Sequence, residues 1–190
     1  MFLSISKTLA QQIVDTIHDV CQYHINFITT DGMIYASSDP SRIGTFHEIG
    51  KQVASTGKTI EVDSDNIYPG THKGINIPIY YHREMVAIVG ISGDIREVTR
   101  FAHLAERISH ILLHENELVA IHRSLDEKKL YIIQSLQSQG LDKNLYFLDC
   151  LHTFHLHPSD IFRVVTIEVN TRYNLVNISL LEQDIQRSLA

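Results

Sequence analysis

Gly70-Thr71-His72-Lys73-Gly74-Ile75-Asn76-Ile77-Pro78-Ile79 is the stretch on which the reading of this chain turns. A lysine and a glycine stand directly before a β-branched run, so a cation and an open backbone sit where a loop enters a strand. Glycine lets a ligand approach without a Cβ in the way, and successive amide N–H groups at such a junction can point at a carboxylate or phosphate. Within the run, Asn76 and Pro78 alternate with Ile75, Ile77 and Ile79, the period-2 pattern of a strand with one buried face. Proline donates nothing to a ladder. The strand is therefore expected at a sheet edge, or at a bulge where a pocket can open. Taken alone, Lys73-Gly74 is the mark of an ordinary loop-to-strand junction, so the rest of the chain has to decide.

Downstream, His82-Arg83-Glu84 reads as a turn into an apolar strand, Met85 to Ile91, closed by Ser92-Gly93. The period then changes to that of a helix, with Val98, Phe101, Leu104, Ala105, Ile108, Ile111, Leu112 and Leu118 on one stripe. This predicts a helix from about 95 to near 125, then a second helical stretch, Lys128 to Gln137, ending at Gly140. Upstream, Leu9, Ile13, Ile17, Val20 and Cys21 predict a helix over 6–23, with Ser6 or Thr8 as its cap. Ile25 to Thr29 and Met33 to Ser37 read as strands joined at Asp31-Gly32, a strong hairpin signal. A polar turn at 38–41 leads to Arg42-Ile43-Gly44-Thr45-Phe46-His47-Glu48, and Phe46, Ile49 and Val53 predict a helix over 45–55 capped by Gly57. Thr59 to Val62 is a further short strand. Together these elements predict an α+β sensor-like domain: a central antiparallel sheet with a flanking N-terminal helix and a long C-terminal helix.

Past Gly140 the pattern shifts to a helix at 145–156, a turn at 157–160, a buried-type strand at Phe162 to Val169 and a weak final helix within 170–190. A helix and a lone strand cannot satisfy that strand's backbone. The expectation is a first domain over 1–138 and the start of a second, truncated domain over 141–190.

Length and composition bound the function. With 190 residues, 44% hydrophobic and 20% charged, the chain can bury one good core, and its net charge of −6 argues against a broad nucleic-acid surface. The two cysteines, Cys21 and Cys150, stand far apart with no zinc spacing, which fits a reducing, cytoplasmic setting. The amino-terminal residues lack a basic region ahead of an apolar one, and no apolar run approaches about 18 residues. Neither export nor membrane spanning is expected.

Three chemistries compete. The first is an anion pocket built from Arg42, the amides of Gly44, Thr45, Phe46 and His47, the His47 side chain, Lys73, and the backbone of Gly74, Ile75 and Asn76. Pro78 marks the adjoining edge, and Asn76, Ser92 and His47 are free to bond hydroxyls. Two cationic patches would suit a ligand with a carboxylate at one or both ends, and the arginine fork matches a carboxylate bidentately. Arg42 as a plain surface ion-pair partner is the bland alternative. The second chemistry is a metal-dependent hydrolase using His110 and His114, an i, i+4 pair beside His103, Glu106 and Glu117. On a helical wheel these face away from the apolar stripe, and no HExxH motif follows. The third is a ligand-free dimerisation module built on the long helix. Nucleophilic catalysis has no G-x-S-x-G or Cys-His motif behind it, no phosphate-binding glycine motif occurs, and no cofactor is called for.

One combination of segments is recognisable. Leu9-Ala10-Gln11-Gln12-Ile13-Val14, Asp31-Gly32, Ala36-Ser37-Ser38-Asp39, Arg42-Ile43-Gly44, His47-Glu48, Lys73-Gly74-Ile75-Asn76-Ile77-Pro78-Ile79 and Val89-Gly90-Ile91-Ser92-Gly93 together resemble the sugar diacid recognition domain that opens bacterial carbohydrate diacid regulators. The likeness covers about residues 5 to 135. It implies a PAS-like sensory fold, not an enzyme, that binds small sugar acids such as glucarate, galactarate or glycerate. In that family a degenerate GGDEF-like domain and a DNA-binding helix-turn-helix follow. The strand from Arg163 to Val169 looks like the start of the middle domain, and the helix-turn-helix has no counterpart in these 190 residues. The resemblance then implies Arg42 and Lys73 as carboxylate clamps, the Gly44–Phe46 and Gly74–Asn76 amides as anion donors, His47 and Asn76 as hydroxyl readers, and a homodimer through the long helix.

Overall fold

Ser6 starts the first helix: in the computed structural model its side chain accepts from the Leu9 N–H at 3.2 Å, satisfying a donor that the first turn leaves free. The structure describes residues 5–65, 71–137 and 144–160, and the chain divides into two units, 1–124 and 125–190. Helix α1 (Lys7–Cys21) buries Leu9, Ile13, Ile17 and Cys21 of the expected stripe together with Ala10 and Val14, whereas Val20, also expected there, is exposed. Gln22 in the left-handed conformation closes it with a bond to the His18 carbonyl.

Five strands follow: β1 (His24–Ile28), β2 (Ile34–Ser37), β3 (Ile60–Val62), β4 (Gly74–Tyr81) and β5 (Glu84–Ser92). They form one sheet in the order β2-β1-β5-β4-β3, with every pairing antiparallel. His82 and Arg83 join β4 to β5, both at positive φ as a tight two-residue hairpin demands. Because side chains alternate, the sheet has two separate apolar faces. Ile25, Phe27, Ile75, Ile77, Ile79, Val89 and Ile91 pack with α1 and with Val98, Ala105 and Leu113 of the long helix. Ile28, Ile34, Val62 and Ile88 pack on the other face against Ile49 and Val53 of α2 (Glu48–Thr56). Each fully buried isoleucine contributes about 1.5–3 kcal/mol by leaving water.

The expected edge position of the Pro78 strand takes a specific form. β4 is an inner strand, but β3 pairs only with residues 74–76. The Lys73 carbonyl accepts from Gly93 N–H at 2.9 Å, so residues 75, 77 and 79 turn their amides toward β5, while 74, 76 and 78 turn toward β3. Pro78 thus places its missing donor on the side that β3 no longer reaches. A register shift follows between Ile79 and Tyr80.

Two boundaries differ from expectation. α2 begins at Glu48 and not at 45, because residues 44–47 are stitched to 32–34: Gly44 N–H donates to the Ile34 carbonyl, Ile34 N–H to Thr45 and His47 N–H to Gly32. The two helices expected between 95 and 137 are one, α3 (Ile95–Gln137, 43 residues). No glycine or proline interrupts it, and an Asp126–Lys129 pair at 3.2 Å spans the turn where the apolar stripe fades.

Within the second unit, Asn144 caps α4 (Leu145–Thr153), whose Phe147, Cys150 and Leu151 close on Ile132. The Lys128 ammonium holds Asp149 and Thr153, each at 2.8 Å. The turn at 157–160 is present. The expected helix end at Gly140, the strand 162–169 and the final helix lie outside the described residues.

Candidate functional site

Strand register places Asn26, Gly90 and Asn76 in one cross-strand row and His24, Ser92 and Gly74 in the next. Asn26 and Asn76 share the α2 face with Ile28, Ile88 and Pro78, so a sheet that is apolar farther along turns polar toward this end. A cleft of about 320 Å³ opens there. Its walls hold both cationic residues singled out in the sequence, Arg42 and Lys73, together with Ser92, Asn26 and His24. Two carboxylates, Asp39 and Asp65, and His72 complete the rim.

The local structure decides which charges are free for a ligand. Asp39 caps the 3-10 turn Pro40–Arg42, accepting from the Ser41 amide at 3.0 Å and the Ser41 hydroxyl at 2.7 Å, which hold its carboxyl below the usual carboxylate range. Asp65 accepts from Lys73 N–H at 2.7 Å and stands 3.7 Å from the His72 ring. Both acids are thus engaged by the loops they organise. Lys73 Nζ lies 3.8 Å from Asp94, a half-exposed pair worth little in water. Arg42 has no carboxylate within ion-pair distance among the described residues. An arriving carboxylate would meet one unpaired guanidinium and one loosely held ammonium.

Several expected contributors take other roles. The Gly74 and Asn76 amides point to β3 and the Ile75 amide to β5, so none is left to receive an anion. Gly74, at φ +156°, is required by the sheet: a Cβ there would lie 2.1 Å from the Ile91 carbonyl oxygen. Ile75 is core, and Pro78 pairs with Ile88 deeper along the sheet. The amides of Gly44, Thr45 and His47 bond the carbonyls of Ile34, Arg42 and Gly32. Phe46 is half-exposed, with its ring against Gly32. The N-terminus of α2 is closed by its own histidine, since His47 Nδ1 accepts from Gly50 N–H at 3.1 Å. Burial first, then the Arg42 guanidinium, push the His47 pKa down to about 4. The ring is therefore neutral, with its hydrogen on Nε2.

His24 and Asn26 were missed by sequence reasoning. The available signal was a polar residue at an inward position between Ile25 and Phe27. His110 and His114 belong to a different neighbourhood: His114 and Glu117 meet Tyr81 and His82 at the far end of β4. Among the described residues no three His, Cys, Asp or Glu side chains converge as metal ligands. No described helix is long and apolar enough to cross a membrane.

A protein of Escherichia coli (strain K12) named carbohydrate diacid regulator is 27% identical over 113 residues, covering 58% of this chain and 29% of that protein. The Bacillus subtilis (strain 168) protein YsfB is 25% identical over 118 residues, covering 61% of this chain and 32% of its own length. An uncharacterised Haemophilus influenzae protein is 24% identical over 188 residues, covering 95% of this chain and 50% of the relative. The chain thus spans half or less of the length of these relatives. The GAF domain of an Acinetobacter phosphoenolpyruvate-protein phosphotransferase superposes on 58% of this chain and 92% of that domain, with 12% identity and a TM-score of 0.40. Residues 5–136, which carry the whole sheet and the cleft, match the family described as "Putative sugar diacid recognition", and the chain belongs to that family.

Proposed function

We propose that this chain is the ligand-sensing module of a bacterial, cytoplasmic transcriptional regulator of carbohydrate diacid use. The cleft holds a carboxylate of a small sugar acid such as glucarate, galactarate or glycerate. The observation that carries this reading is the convergence of Arg42 and Lys73, distant in sequence, on one polar cleft. Arg42 grips a carboxylate through its planar fork, Lys73 exchanges Asp94 for the ligand, and Ser92 and His24 bond hydroxyls. No chemistry on the ligand is required. The antiparallel sheet, with α1 and α3 on one face, supports a PAS-like sensory fold.

Signalling runs through α3. Leu104, Ile111 and Leu118 recur every seven residues and are exposed, the spacing of a seam between two helices, so α3 pairs with its copy in a dimer. Ligand binding favours one arrangement of that pair. Contact with DNA belongs to a further domain, beyond the GGDEF-like domain that residues 141–190 begin.

Calorimetric titration with glucarate, galactarate, glycerate and glycolate tests the cleft, and at least one acid should bind. Arg42→Ala and Lys73→Ala should each weaken that binding tenfold or more; unchanged affinity in both variants removes these residues from the site. A ligand at 100 times its dissociation constant should add about 2.7 kcal/mol of stability. Melting indifferent to every acid would favour the ligand-free dimerisation module.

A further inference from the structure

Both side walls of the cleft carry a cation, a carboxylate and a histidine. On one side are His24, at the start of β1, and Asp39 and Arg42 of the turn that follows β2. On the other are Asp65, His72 and Lys73, which lie between β3 and β4 in the chain. Strand β5 runs between β1 and β4 and sets Ser92 in one row with His24 and Gly74. The walls therefore stand two strand spacings apart, about 10 Å.

In charge, each cation is balanced by one carboxylate. The Ser41 hydroxyl and amide hold the Asp39 carboxyl in its charged form, with His24 and Arg42 as smaller contributions. Asp65 accepts from Lys73 N–H at 2.7 Å, and Asp94, outside the lining, draws on the Lys73 ammonium from 3.8 Å. His47, buried at the start of α2, is kept neutral by burial first and adds no charge. No other titratable side chain lines the cleft among the described residues. With His24 and His72 neutral, the lining has no net charge although it holds two cations. Each wall turns positive only when its histidine takes up a proton.

We infer that the cleft takes up protons together with its ligand: a dicarboxylate is held with His24 and His72 as imidazoliums, one at each wall, so that binding tightens as pH falls. This rests on the carboxylate cleft proposed above and adds the residues that give it a positive charge. Histidine is the side chain that ordinarily changes charge between pH 5 and 8. A carboxylate within about 4–6 Å favours the charged ring by about tenfold or more, and by linkage the charged ring favours the carboxylate by the same factor. As an imidazolium, His24 still donates to a ligand hydroxyl. A monocarboxylate answers one wall only and takes up one proton at most.

The experiment titrates the full chain calorimetrically with glucarate and with glycolate between pH 6 and pH 8, each in two buffers of different ionisation heat, so that affinity and proton uptake are read together. Carboxylic acids of this kind stay ionised across that range. Glucarate should bind at least about tenfold more tightly at pH 6 than at pH 8, with protons taken up on binding, and glycolate should take up fewer. His24→Gln and His72→Gln, both at exposed positions, should keep the parent's circular dichroism spectrum. Each should lower the proton count and flatten the pH dependence, differing from the parent most at pH 6, whereas a merely structural role would weaken binding equally at every pH. A glucarate affinity that is flat with pH, or a slope and proton count unmoved in both variants, overturns the inference while the clamp stands, since Arg42→Ala and Lys73→Ala would still weaken both acids. Affinities unchanged in those two variants, or no binding of either acid at any pH, overturn the clamp and this inference with it.

Discussion

The Tyr81 hydroxyl donates to Glu117 Oε2 at 2.5 Å, fastening the far end of β4 to α3. His82 adds a ring-nitrogen contact to Glu117 Oε1 at 3.0 Å. Burial first, and the bond to Glu117 next, push the Tyr81 pKa up to about 12, while the Tyr81 bond, then that of His82, holds the Glu117 carboxyl below its usual range.

The pair therefore contributes to the alkaline behaviour of the fold. A raised tyrosine pKa contributes stability that is complete below pH 10 and disappears as pH rises toward 12. Tyr81→Phe should lower the melting temperature at pH 7 by about 2–4 °C. It should also flatten the decline between pH 10 and 12, as followed by circular dichroism melts across that range.

His47 contributes on the acid side. The folded protein keeps it neutral down to about pH 4, whereas an unfolded chain protonates it near 6.5. The unfolded state thus binds more protons between these values, and stability falls as pH drops through that window, by roughly 3 kcal/mol in total. His47→Asn keeps an oxygen acceptor for the Gly50 amide, a favoured helix cap, without a group that titrates there. Urea unfolding at pH 7 and pH 5 should show the decline in the parent chain and a smaller one in the variant.

Gly74 is expected to tolerate no side chain. Its φ of +156° and the 2.1 Å approach of a would-be Cβ to the Ile91 carbonyl oxygen mean that Gly74→Ala must separate β4 from β5. The cost should be about 3 kcal/mol or more, visible as a lowered urea midpoint. A variant as stable as the parent would show that the two strands can part without loss.

The exposed α3 stripe gives a fourth test. Ile111 is 65% exposed in the single chain, so Ile111→Glu should leave the helical circular dichroism signal intact. Sedimentation equilibrium should show the proposed dimer weakened at least tenfold, because a charge would enter an apolar seam. Equal dissociation constants would place the dimer contact elsewhere.

What the sequence could disclose follows the range of each interaction. Ser6, the i, i+4 stripe of α1, Asp31-Gly32 and Gly57 act within a few residues, and each marks its element in place. Arg42 and Lys73 were legible as cations at loop-to-element junctions, and the sheet does bring them to one cleft. The fate of the amides at 44–47 and 74–76 was not legible, because it depends on which strand lies alongside, a relation between residues far apart in the chain. Asn26 was hidden for the same reason: its partner Ser37 and its neighbour Gly90 become adjacent only once β2 and β5 have paired with β1. The continuity of α3 past residue 125 escaped an apolar-stripe reading, since charged pairs and helix-favouring residues sustain a helix after its buried face has ended.

Pro78 protects the molecule from its own kind. Beyond Ile77 the outer side of β4 carries no neighbouring strand among the described residues, and an isoleucine-rich strand with an open flank is a template on which a foreign strand can grow. The ring sits on that flank, where it withholds a donor and obstructs docking. Replacing it with valine would complete the row of donors, and the first sign of trouble would be fibrillar aggregates at high concentration while the monomer fold stayed unchanged.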